Sequence, residues 1–168
     1  MTEVFLCALY RRERKPRLAL PLLEDLIARF PRNYLLRFEQ SEMYSAIGDK
    51  QHAIGAIRTI ARLKKRGSPG FVHVPWEKID YHLGNIEFWY RDYAAALEHL
   101  AKVTASEEEV DLNTGVLAWL RTGQCHDMLG ERAEAVEAYK KALEFAPQAD
   151  AAREARRYLS SPYRRGKN

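Results

Sequence analysis

Residues 119–147 read WLRTGQCHDMLGERAEAVEAYKKALEFAP, and this stretch decides the fold. Trp119 to Met128 carries a helical pattern, Gly130-Glu131 marks a turn, and Arg132 to Phe145 carries a second helical pattern. In the second helix Ala133, Val136, Tyr139, Ala142 and Leu143 recur at three- and four-residue steps. That spacing predicts one apolar face turned inward. Glu137 and Lys141 form an i,i+4 pair on the opposite face. Pro147, which has no N–H to continue the ladder, stops the helix.

Ala135 opens a run of the form small-x-x-x-bulky-x-x-apolar, and comparable runs open at Ala19, Ala53 and Ala96. Ala19 to Ala53 is 34 residues, and so is Tyr10 to Tyr44. Two independent landmarks thus agree on one period. Ala53 to Ala96 is 43 residues and Ala96 to Ala135 is 39. The first excess falls on Gly67–Pro75, rich in helix breakers, and the second near the acidic run Glu107-Glu108-Glu109. A period near 34 residues built from two helices predicts stacked hairpins, in which extra residues leave as loops between repeats.

With Trp119, Gly123, Ala135, Tyr139, Ala142 and Pro147 in these places, the segment resembles a tetratricopeptide repeat. Thr122 and His126 depart from its usual Leu and Tyr. Leu83-Gly84, Tyr93 and Ala96 carry the third copy, with Arg91 where a turn glycine is usual. Tyr44, Gly48-Asp49, Ala53, Ile57 and Ile60 carry the second, and Leu6, Tyr10, Ala19, Leu23, Leu26 and Pro31 the first. The resemblance implies an all-α, right-handed α-solenoid of about four helix-turn-helix repeats in one domain, 1–159. Repeats fall at about 1–33, 34–66, 77–109 and 116–149, followed by a capping helix over 149–159. Residues 160–168 read as a basic, disordered tail. The abrupt start at the first repeat suggests a piece of a longer parent.

Composition fits a folded chain, with 30% charged and 46% hydrophobic residues. No apolar stretch approaches the ~20 residues of a membrane span, and no secretion leader is visible. The net charge of +4 gathers in Arg11–Arg17, Arg62–Arg66 and Arg153–Lys167, as on a solvated helical surface. Cys7 and Cys125 stand in the first and last repeats, too far apart for a bridge. Each is expected to be a buried thiol, which favours a reducing compartment. The five histidines lack metal-ligand spacing, and no phosphate loop, dinucleotide fingerprint or nucleophile elbow is present. No catalytic group, metal or cofactor is therefore assigned, and the chain reads as a non-enzyme.

The resemblance implies that the first helix of each repeat lines a groove for a peptide or protein partner. Carried over by register, the lining is Leu35, Phe38, Glu42 and Ser45 in the second repeat. It is Lys78, Tyr81, Asn85, Phe88 and Trp89 in the third, and Leu117, Leu120, Arg121, Gln124 and Met128 in the fourth. Arg153 and Arg157 follow from the capping helix. Tyr81, Phe88, Trp89 and Tyr90 around Asn85 have the composition of a binding hot spot, with Trp89, Tyr81 and Phe38 as anchors. The competing reading packs these rings against the 67–76 insertion, which would then plug the groove. Val4, Ala8, Phe38, Glu39 and Glu42 occupy the places where some relatives grip a terminal carboxylate, and Glu42 repels one. A protein-interaction scaffold is the leading reading. Self-association through Val4, Phe5 and Leu9, or nucleic-acid binding by the basic runs, are the alternatives.

Overall fold

The computed structural model describes Tyr10, Glu13 and residues 15–166. Among these residues there are eight helices and no strand. They are α1 (Pro16–Arg29), α2 (Tyr34–Ala46), α3 (Lys50–Lys65), α4 (Trp76–Trp89), α5 (Tyr93–Thr104), α6 (Leu112–Leu129), α7 (Arg132–Phe145) and α8 (Asp150–Ser160). The chain divides into two compact units, Met1–Ile79 and Asp80–Asn168, with the division inside α4. In the first unit α2 packs on α1 and α3; in the second, α5, α6, α7 and α8 pack in sequence and α8 also reaches α6.

The repeated run is the core. Ala19, Leu23 and Leu26, then Ala53, Ile57 and Ile60, then Ala96, Leu100 and Val103, then Ala135, Tyr139 and Ala142 are all buried. Twelve residues before each of the last three alanines stands a small residue: Ser41, Gly84 and Gly123. The reason is close approach of the paired helices. A Cβ at Gly123 would lie 2.4 Å from Cε1 of Tyr139, and one at Gly84 would lie 2.9 Å from Cγ of Leu100. At the matching place Ser41 Oγ donates to the buried Ala53 carbonyl at 2.8 Å.

The turns obey one rule. Five residues before Ala53, Ala96 and Ala135, the backbone enters the left-handed region at Gly48 (φ 83°), Arg91 (φ 66°) and Gly130 (φ 82°). Asp49 and Asp92 then accept the N–H of His52 and Ala95 and start the next helices. Arg91 thus adopts a conformation that costs a non-glycine residue about 1–2 kcal/mol.

Several expectations need correction. Helix α6 begins at Leu112, a full turn and more before Trp119, because Asp111 Oδ1 caps it by accepting Thr114 N–H at 2.9 Å. The buried stripe of α7 is Ala135, Ala138, Tyr139 and Ala142; Ala133 is exposed, and Val136 and Leu143 are half-buried. Its direct surface contacts are Lys140 with Glu137 and Lys141 with Glu144, and the Glu137 carboxylate still attracts Lys141 at longer range. In the first unit, the 67–76 insertion folds through the bonds Phe71 N–H to Ser68 and Val74 N–H to Phe71, with Phe71 and Val74 buried. Lys64 Nζ donates to the carbonyl of Val72 at 2.9 Å. Residues 161–166, read as disordered from their charge, are held in place by contacts described below.

Cys125 is a buried free thiol, and burial pushes its pKa up to about 12. Cys7, the first-repeat residues Leu6 and Ala8, and the self-association candidates Val4, Phe5 and Leu9 lie outside the described residues. No helix among the described residues is long and apolar enough to cross a membrane.

Candidate functional site

The register expectation takes its clearest form in the second unit, where α4, α6 and α8 present one face. A polar ladder crosses it. Arg121 of α6 donates from Nε to Asn85 Oδ1 of α4 at 2.9 Å and from Nη1 to Gln124 Oε1 at 2.6 Å. Gln124 Nε2 donates to Glu154 Oε1 of α8 at 3.2 Å, and the Tyr158 hydroxyl donates to the same oxygen at 3.1 Å. Fully buried Gln124 is thereby satisfied on both ends of its amide, as a buried polar group must be. Burial first, then the Glu154 carboxylate, raises the Tyr158 pKa. The Arg121 guanidinium carbon also sits 4.7 Å from the Phe88 ring centre and 5.2 Å from that of Trp89. Desolvated cation–π contacts of this kind contribute about 0.5–2 kcal/mol.

The candidates separate by burial. Trp89 is 47% exposed. Tyr81, Asn85, Arg121 and Met128 are half-buried. Phe88 and Leu120 are buried and serve the core: Phe88 packs with Tyr93, Leu100 and Cys125, and Leu120 with Val116, Ala135 and Tyr139. Phe38, in the first unit, is also buried, so its aromatic ring is no surface anchor; Tyr34 meets it edge-on at 6.0 Å and Lys78 Nζ lies 5.7 Å from its centre. Glu42 is exposed on α2. On α8 the expected Arg153 and Arg157 are exposed, while Glu154 and Tyr158 turn inward, one residue further along the helix.

Sequence reasoning missed Asp127. Its carboxylate is only 1% exposed. It accepts Arg132 Nη1 at 2.9 and 3.2 Å, the Tyr139 hydroxyl at 2.7 Å and the Tyr163 backbone N–H at 2.7 Å. Burial, and next the hydrogen bond to Asp127, holds the Tyr139 phenol protonated far above its usual range. Arg132 Nη2 continues the network to the Tyr158 and Leu159 carbonyls at 2.6 and 3.0 Å, closing the end of α8. The signal was present: Asp127 stands eight residues before Ala135, as Phe88 stands eight before Ala96.

The segment after α8 completes the arrangement. The Tyr163 ring lies 5.9 Å from Phe88 and 5.3 Å from Tyr158. Arg165 places its guanidinium 4.9 Å from the Trp89 ring centre and donates to the Phe88 and Trp89 carbonyls at 3.3 and 2.8 Å. Burial raises the Tyr163 pKa against the opposing pull of Arg121 and Arg165. What the face offers is rings, carbonyls and filled hydrogen-bond ladders, the chemistry of recognition.

No curated protein sequence matches the chain at a significant level. Solved structures do match it. The crystal structure of MamA is 20% identical, covering 90% of this chain and 88% of that one, with a TM-score of 0.58. MamA 41-end from Desulfovibrio magneticus RS-1 is 16% identical over 96% and 91%, with a TM-score of 0.64. The nearly identical TPR-like repeats attributed to a Podosopora anserina kinesin light chain are 15% identical over 96% and 84%, with a TM-score of 0.71. At these identities the likeness shows the fold, an all-α helical repeat. Two family models, both described as tetratricopeptide repeat, match residues 8–68 and 116–149. These matches cover more than half of the sequence and fall on the runs that form the core, so the chain belongs to the tetratricopeptide repeat family.

Proposed function

We propose that the chain is a non-catalytic interaction module whose second unit binds an extended peptide segment of a protein partner across α4, α6 and α8. The observation that carries this reading is the Asn85–Arg121–Gln124–Glu154 ladder beside an exposed Trp89. A ladder locked on both sides holds its side chains in fixed rotamers, so a partner pays little ordering entropy at their end. An exposed tryptophan with a half-buried arginine beside it supplies the residue types that dominate alanine scans of interfaces. Membership of the tetratricopeptide repeat family supports the same reading, since its folds in general serve as interaction scaffolds.

The test is peptide display panned against the full-length chain, with selected peptides titrated against Trp89→Ala and Arg121→Ala. The expected result is loss of affinity by more than tenfold in both variants while far-ultraviolet circular dichroism keeps its helical amplitude. Selected peptides that bind both folded variants as well as they bind wild type refute the site.

A further inference from the structure

Residues 161–166 are not helical, yet they are held at almost every second position. Tyr163 and Arg165 are half-buried, whereas Pro162, Arg164 and Gly166 are exposed. That alternation is the signature of an extended segment lying on a surface, with i and i+2 facing down. Ser161 is already extended (φ −142°, ψ 124°), as expected of a residue preceding proline.

Each downward contact answers a specific need of the surface. Helix α4 has no basic residue in its last turn, so its final carbonyls carry the negative end of the helix dipole without a cation of their own. Arg165 supplies that cation, donating to the Phe88 and Trp89 carbonyls and lying over the Trp89 ring. Tyr163 lays its ring against Phe88 and Tyr158, and its N–H donates to Oδ2 of buried Asp127. Arg91 holds the Gly166 carbonyl at 3.3 Å. The segment binds through one aromatic ring, one guanidinium two residues later, and main-chain bonds at both ends. It is recognised as a peptide ligand is recognised.

Resting on the interaction-site reading above, we propose that this face is specific for an extended aromatic-x-arginine segment, and that residues 162–166 are its resident occupant in cis. A partner carrying the same chemistry binds by displacing them. The occupant is exchangeable because neither Tyr163 nor Arg165 is fully buried and Trp89 stays largely accessible beside Arg165. A short tether holds its segment at an effective concentration of about millimolar, so a segment with an untethered dissociation constant near 100 μM weakens any competing peptide about tenfold.

The probe is a fluorescein-labelled peptide of residues 160–166, Ser-Ser-Pro-Tyr-Arg-Arg-Gly, titrated by polarisation with the full-length chain and with its Y163S/R165S variant. The expected result is binding to the folded variant about tenfold tighter than to wild type. Binding is then lost when the peptide's tyrosine or second arginine becomes serine, or when Trp89→Ala is added to the variant. Equal binding to both chains, no binding to a folded variant, or indifference to the peptide's Tyr and Arg overturns the proposal. Should the variant fail to fold, amide hydrogen exchange on wild type decides. Exchange of the Tyr163 amide faster than the α6 and α7 cores supports a detachable occupant, and exchange only with global unfolding overturns it. Random-peptide panning on the variant separates the two readings. Enrichment of aromatic-x-arginine supports the specificity. A different motif that still needs Trp89 overturns the specificity and leaves the site standing; no Trp89-dependent binder removes both.

Discussion

Replacing Gly123 with alanine and replacing Gly55 with alanine are the same chemical change, made inside two helices of one family fold, with opposite expected signs. At Gly55, in α3, a new Cβ meets nothing within 4 Å. There the substitution keeps only its intrinsic gain, about 0.5–1 kcal/mol from better helix propensity and a less floppy unfolded chain. At Gly123, in α6, the new Cβ would sit 2.4, 2.6 and 2.8 Å from Cε1, Cδ1 and Cζ of Tyr139. Real contacts do not come so close, so the ring or the backbone must move. The ring cannot swing away cheaply: it is fully buried and its hydroxyl is bonded to Asp127 at 2.7 Å. Overpacking of this kind costs about 1–3 kcal/mol, which the propensity gain of about 1 kcal/mol only partly offsets. The net is a destabilisation of up to about 2 kcal/mol for Gly123→Ala against a gain of up to about 1 kcal/mol for Gly55→Ala. At about 2–4 °C per kcal/mol for a chain of this size, the Tm falls by up to roughly 8 °C in the first case and rises by roughly 1–4 °C in the second. Thermal unfolding followed by circular dichroism at 222 nm, on wild type and both variants side by side, measures both. If the two substitutions shift the Tm in the same direction, the close approach of α6 to α7 is not what sets residue 123, and the packing rule drawn for Ser41, Gly84 and Gly123 fails with it.

Arg91→Gly relieves left-handed strain of about 1–2 kcal/mol and gives back about 0.5–1 kcal/mol in unfolded-state entropy, so the Tm is expected to rise by up to about 6 °C; a fall of several degrees shows that Arg91 contributes more through Gly166 than it costs. The Cys125 thiol, raised by burial from 9.0 to about 12, favours the protonated folded state, so the stability it contributes is whole below about pH 9 and is lost as pH rises toward 12. Each pH unit in that window removes up to about 1.4 kcal/mol, and because the raised Tyr139, Tyr158 and Tyr163 begin to count only above their ordinary value of about 10, urea unfolding between pH 8.5 and 10 isolates the thiol. Cys125→Ala is expected to flatten the curve there; an unchanged slope refutes the assignment.

Much of the fold was legible because a repeat announces itself through what every copy must do alike. Each hairpin needs a small residue where its helices cross, a bulky one four residues later and an apolar one three further on, and Ala53-Ile57-Ile60, Ala96-Leu100-Val103 and Ala135-Tyr139-Ala142 meet that need. Periodicity fixes such positions to within one helical step, which is also where it erred. Ala133 belongs to the right helix on the wrong side, Val136 and Leu143 only flank the buried face, and Arg153 and Arg157 sit one residue off the inward pair Glu154 and Tyr158. A rotation of about 100° per residue makes a one-place slip exchange a buried face for a flank. The 161–166 segment was illegible for a different reason. Composition reports disorder by asking whether a stretch can bury enough of its own surface, and Tyr-Arg-Arg-Gly-Lys-Asn cannot. Its order comes from partners far away in sequence, Asp127 and the end of α4, which no local window contains.

The copies differ where the site lies, and that pattern is itself informative about how a scaffold acquires specificity. Eight residues before the core alanine stand Ser45, Phe88 and Asp127; seven before it stand Ala46, Trp89 and Met128; eleven before it stand Glu42, Asn85 and Gln124. These places share a direction in every hairpin yet share no chemistry: Phe88, Gln124 and the Asp127 carboxylate are buried there, whereas Glu42 and Trp89 are exposed. Phe88 and Asp127 illustrate the consequence. One presents a ring and the other a carboxylate at equivalent points of successive first helices, and a single residue, Tyr163, uses both, its ring on the first and its N–H on the second. On the proposed reading, recognition of an extended chain would be a readout across repeats, two or three side chains from each, and exchanging a solvent-facing position such as Trp89 is expected to retune the ligand while leaving the alanine-centred core in place. Asp127 is the exception that tests the rule: through Arg132 and Tyr139 it is tied to that core, so its replacement is expected to cost stability and ligand together, whereas replacement of Trp89 costs ligand alone.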